Sequence, residues 1–163
     1  MASTATAGER PQRSEEELRA ASNRLWHEYW MLRCAARLKT EDPMLAAALE
    51  ETFALHLRNL AAFLYGEFGD SLLNSTIDAN AVLAEDFMGP RWFELRPERT
   101  ELLEDALCWA ARRAGALRYG AADAEPPRGW TLVQASFELQ KVMDTFISNL
   151  PRRLFGSKWS IDY

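Results

Sequence analysis

Apolar residues recur every three to four positions in four separate stretches of the chain, and polar or turn-forming segments divide them. That spacing gathers apolar side chains on one face of a helix. The first stretch predicts a helix from about Glu15 to Leu38, with Leu18, Leu25, Tyr29, Leu32 and Ala36 on one stripe. Ser14 ahead of Glu15, Glu16 and Glu17 marks its start, because the hydroxyl satisfies orphan amides and the acids complement the positive helix end. Trp26, Trp30 and Cys34 fall on another flank, so this helix is expected to meet two neighbours or a partner chain. Asp42-Pro43 ends one pattern and opens the next, aspartate as cap and proline as first helical residue. The second helix is expected from Pro43 to about Phe68, with Leu45, Leu49, Phe53, His56, Leu60, Phe63 and Leu64 on its apolar face, and Gly66 and Gly69 at its end.

From Gly69 to Arg99 no period is sustained, and a connection of about 30 residues is unusual inside a compact domain. Asn80 to Phe87 can supply a turn or two of helix there, and Trp92 and Phe93 are expected to pin the connection to the rest. A third helix is expected after Thr100, with Glu101, Glu104 and Asp105 early and Arg112, Arg113 and Arg118 late, the charge order that the helix dipole favours. Its apolar face carries Leu103, Ala106, Leu107, Ala110, Ala114 and Leu117, and Gly120 closes it. After the turn-rich segment Ala121 to Gly129, a fourth stripe runs through Leu132, Leu139, Val142, Met143, Phe146, Ile147 and Leu150 up to Pro151. No stretch shows useful strand-like alternation. The expected fold is all-α: a four-helix up-down bundle with a long loop between helices two and three. Residues 1–13 are expected as a disordered tail, 14–155 as one helical domain and 156–163 as a C-terminal arm.

With 48% hydrophobic and 26% charged residues, the chain has an ordinary globular mixture. No apolar run is long enough to span a bilayer and Met1 to Arg13 lacks the apolar stretch of a secretion signal, so a cytoplasmic location and no membrane partner are expected. Cys34 and Cys108 fall within predicted helices, where a thiol behaves as a small buried hydrophobe. A net charge of −5 disfavours non-specific binding to duplex nucleic acid. The charge is uneven, however. Residues 108–163 hold 8 basic and 5 acidic side chains, which leaves room for a local cationic patch.

Candidate chemistry is sparse. The chain has two histidines, His27 and His56, and no metal-ligand spacing, phosphate-binding glycine loop or nucleophile elbow, so neither metal nor cofactor is expected. His56, Arg58 and Asn59 share one turn of the second helix. They read either as a core histidine with solvated neighbours or as a polar cluster anchoring the long loop through Glu85 or Asp86. Arg112, Arg113 and Arg118, with Trp109, Tyr119 and Trp130 nearby, read either as ordinary helix-end cations or as a phosphate-binding group beside stacking platforms for single-stranded nucleic acid.

LWHEYWML in the first helix, LEETFALHLRNLAAFLY in the second, VLAEDF in the loop and the arginine-rich third helix together resemble small bacterial HEPN-like proteins, over most of Leu25 to Leu150. The resemblance implies a bundle of about four helices that commonly dimerises. It also implies kinship with metal-independent ribonucleases, in which an arginine followed after four to six residues by a histidine holds and cleaves the phosphodiester at the dimer seam. Here no histidine follows any arginine at that spacing, and the corresponding place in helix three reads Arg112-Arg113-Ala114-Gly115-Ala116. The role expected is therefore a non-catalytic binding or regulatory module that acts as a homodimer on RNA or a nucleotide. An atypical ribonuclease and a structural subunit docking a partner protein are the alternatives.

Overall fold

The structure is a computed structural model, and it describes residues 12–66, 81–113 and 129–161. Its described residues form an all-α protein without strands: α1 (Glu15–Arg37), α2 (Pro43–Tyr65), α3 (Ala84–Met88), α4 (Arg91–Leu95), α5 (Glu101–Arg113) and α6 (Leu132–Asn149), followed by 3-10 turns at Arg152–Leu154 and Ser157–Ile161. No helix among them is long and apolar enough to cross a membrane.

The helix starts follow from their caps. Ser14 Oγ accepts from Glu17 N at 3.2 Å while Glu17 returns a carboxylate to Ser14 N at 2.7 Å. Asp42 accepts from both Met44 N and Leu45 N. Thr100 Oγ1 takes Leu103 N at 3.2 Å, and Thr131 makes a reciprocal box with Gln134. Gly66 ends α2 with a left-handed φ of 72°, a conformation glycine reaches without steric cost. The expected tail up to residue 11 and the expected continuation of the third helix through Ala114, Leu117, Arg118 and Gly120 lie outside the described residues.

α1 packs along α2, α2 along α5, and α6 against α1, α2 and α5 around one apolar core. Its centre is aromatic. Phe146 meets Phe63, Phe87 and Trp92 edge to face, at centroid separations of 5.1, 5.7 and 5.5 Å, an arrangement that ring quadrupoles favour. Each such ring removed from water contributes roughly 1.5–3 kcal/mol.

Several expectations change. Leu45 is 50% exposed rather than part of the apolar face, because the first turn of α2 lies at the α1–α2 corner, where Leu38 and Met44 are exposed as well. Of the pair expected to pin the loop, Trp92 is buried and Phe93 is 54% exposed; consecutive helical residues point about 100° apart, so one faces the core and the other leaves it. Cys108 is exposed and Cys34 half-buried. The expected C-terminal arm docks on the bundle, and Leu154 and Trp159 belong to the core. Gly156 N donates to Ser22 Oγ at 2.7 Å, Trp159 Nε1 to Ser22 O at 2.8 Å, and Lys158 N to Asn23 Oδ1 at 3.0 Å, which ties this segment to α1.

Candidate functional site at the seam of the first two helices

His56 interrupts the apolar face of α2, and Glu28 sits between Leu25 and Leu32 on the apolar face of α1. A polar group set into each of two packed faces gains by meeting the other, because an unpaired buried polar group costs more than its hydrogen bond returns. The helices bring them together. Glu28 Oε2 lies 2.7 Å from His56 Nδ1 and accepts Asn59 Nδ2 at 3.0 Å. His56 and Asn59 are one turn apart on α2, so a single carboxylate oxygen is gripped by both.

The His56 hydrogen bond is the largest influence holding the Glu28 carboxyl below its ordinary value; the Asn59 bond and the charges of His56 and Arg24 add to it, while burial pushes the other way. The Nδ1 contact orients the imidazole and leaves Nε2 as its other working nitrogen. His27, exposed one position before Glu28 on α1, makes an edge contact with His56 at 6.1 Å between centroids and 83° between planes. Both histidines of the chain thus stand at one seam with a carboxylate, an amide and the nearby Arg24. Among the described residues no group of three His, Cys, Asp or Glu side chains could hold a metal ion.

The loop carboxylates do not complete this site. His56 takes its carboxylate from α1, not from Glu85 or Asp86. Asp86 accepts Leu83 N at 2.7 Å and so caps α3, and Glu85 is half-buried in the same short helix. Arg58 is half-buried on α2, two positions after His56 and so on a different face of the helix. The loop is anchored elsewhere, at the end of α2, whose last turn carries no basic residue. Trp92 Nε1 donates to Leu64 O at 2.6 Å and Arg96 Nη1 to Tyr65 O at 2.9 Å, supplying donors to carbonyls that a helix end leaves orphaned. The Arg96 guanidinium also lies 5.0 Å over the Tyr65 ring and 5.4 Å over Phe93.

The expected phosphate-binding group is thinner than its sequence implies. Arg113 is held by Glu50 at 2.9 Å, Arg112 is exposed in the last described turn of α5, and Arg118 and Tyr119 lie outside the described residues. Trp109 is no stacking platform. It is buried against Phe53, with Trp130 edge-on to it at 5.8 Å, because α5 buries residues on two flanks between α2 and the segment before α6. Glu28 is not among the candidates that the sequence offers; its one signal there is a lone carboxylate within an apolar stripe.

Compared with family models, curated proteins and solved structures, the chain matches none.

Proposed function

We propose that the chain is a HEPN-like helical module that binds RNA or a nucleotide as a homodimer and does not turn it over. The observation that carries this reading is the placement of the histidines: α5 carries an exposed Arg112 in its last described turn, yet both imidazoles stand at the α1–α2 seam, where His56 is buried and engaged by Glu28. An exposed arginine without a proton-transferring partner can bind phosphate and leave it intact. Arg112 is the expected contact. The test is light scattering of the full chain together with anisotropy of a labelled single-stranded RNA. The reading expects a dimer, saturable binding that weakens with salt and on Arg112→Ala, and uncut RNA; a folded protein that binds no RNA refutes it.

A second reading, an atypical metal-independent ribonuclease, is favoured by one observation, the 6.1 Å approach of His27 to His56 with Glu28 on His56 Nδ1. Two imidazoles flanking a phosphate can divide the work, one taking the proton of the 2′-hydroxyl and the other protonating the leaving oxygen. It requires RNA cleavage in the presence of a chelator that disappears in both His27→Ala and His56→Ala. Cleavage that survives either variant removes it.

A further inference from the structure

Six positions of α1 lie on one narrow face: Arg19, Asn23, Trp26, Trp30, Arg33 and Arg37 recur at three- and four-residue spacing. This face contains three arginines, two tryptophans and no acid over a rise of about 27 Å, in a chain whose net charge is −5. Glu15 stands at its N-terminal end and is paired with Arg153 at 3.2 Å. Such segregation of basic from acidic groups has no counterpart on the apolar core face of α1 and is not needed for packing it.

The rings are arranged as a platform. Trp26 and Trp30 stack with centroids 5.7 Å apart and planes 3° from parallel, and Trp30 remains 43% exposed. The C-terminal segment adds a cation: Lys158, fixed through its backbone N–H to Asn23 Oδ1, places its ammonium 5.8 Å over the Trp26 ring. Further along, the Arg33 guanidinium lies 5.4 Å over Tyr29, and its Nε makes no hydrogen bond among the described residues. Arg19 and Arg37 stand exposed at the two ends.

We infer that this face of α1, with Lys158, is a binding site for a single-stranded nucleic acid, a base stacking on Trp30 while the backbone phosphates follow Arg19, Arg33, Arg37 and Lys158. Charge complementarity selects the occupant: a row of cations flanking the exposed Trp30 ring suits a polyanion whose bases are free to stack, and a second copy of this face would set arginine against arginine. A duplex offers phosphates but keeps its bases stacked on one another, so it forgoes the tryptophan contact. The site is separate from Arg112, and it borders the histidine seam at His27, one helical turn from Asn23 and Trp30.

The test is fluorescence anisotropy of the full chain with a short labelled oligouridylate, the matching oligothymidylate and a duplex of equal length, over a range of salt. Saturable binding of the single strands in preference to the duplex is expected; the two single-stranded arms show whether the sugar matters. Trp30→Ala should raise the dissociation constant by about fivefold or more, with Trp30→Phe recovering part of the loss. Arg33→Ala with Arg37→Ala should reduce the slope of log affinity against log salt by about 0.7 for each phosphate contact removed. Arg91→Ala, an exposed cation on α4, should leave both quantities unchanged, and circular dichroism confirms that each variant is folded. Wild-type protein that binds no single strand overturns the inference. So does binding that Trp30→Ala and the double arginine variant leave intact; if Arg112→Ala abolishes that binding, the function proposed above survives while this site falls. A Trp30→Ala variant that turns a dimer into monomers without affecting oligonucleotide binding overturns it too and assigns the face to self-association.

Discussion

Glu28 on α1 and His56 on α2 join the first two helices through a 2.7 Å contact between Oε2 and Nδ1, with Asn59 donating to the same oxygen. Removing His56 leaves the carboxylate half-buried with a weaker set of donors; removing Glu28 leaves a buried imidazole unpaired. Either His56→Ala or Glu28→Ala should therefore lower unfolding stability by about 1–3 kcal/mol. The double variant should lose less than the sum of the two. Urea denaturation of the four proteins checks this, and additive losses would show that the contact contributes nothing.

The same pair sets an acid limb. Because hydrogen bonds from His56 and Asn59 hold the Glu28 carboxyl below its ordinary value of 4.5, the folded protein binds the proton less readily than the unfolded chain. Its contribution is complete above that ordinary value and is lost as pH falls through the lower folded value. The stability difference between wild type and Glu28→Gln should be constant near neutrality and shrink below about pH 4.5. A difference that grows on acidification contradicts this account.

The helices were legible because each has its own period and cap: Ser14, Asp42 and Thr100 stand where the structure places N-caps, and Leu25, Tyr29, Leu32, Phe53, Leu60 and Phe146 are buried as their spacing implies. The partner of His56 was not. It depends on the register of α1 against α2, which no local pattern encodes, and the nearby acidic run Glu85-Asp86 was an equally acidic candidate. Trp109 is a related case: its place beside arginines suggests stacking, whereas burial by Phe53 and Trp130 is a tertiary fact. Trp159 lies in a segment without period, and its core position follows from bonds to Ser22, more than 130 residues earlier.

Trp92 and Arg96 together fasten the α3–α4 segment to the end of α2. Trp92→Ala removes a fully buried ring and the donor to Leu64 O, and should cost about 3–5 kcal/mol. Arg96→Ala keeps the ring but frees the Tyr65 carbonyl, so limited proteolysis should cut residues 81–100 faster while global stability changes less. Equal proteolysis rates in wild type and Arg96→Ala would show that Trp92 suffices.

Gly156 has no room for a side chain, since a Cβ there would overlap the carboxamide of Asn23. Asn23 cannot swing away without giving up its bond from Lys158 N. Gly156→Ala should lower the melting temperature and loosen the C-terminal segment. Asn23→Ala in the same chain should recover part of that loss, because it clears the space; no recovery would place the strain in the backbone instead.

The central claim, a dimer that holds RNA without cutting it, is tested most directly by sedimentation velocity of the full chain with a fluorescently labelled single-stranded RNA, followed at the label's wavelength. The account predicts that the label moves at the mass of two chains plus one or more intact RNA molecules, and returns to the free RNA boundary as salt is raised. A label that sediments as free RNA beside a folded protein, or as shortened fragments, would contradict it.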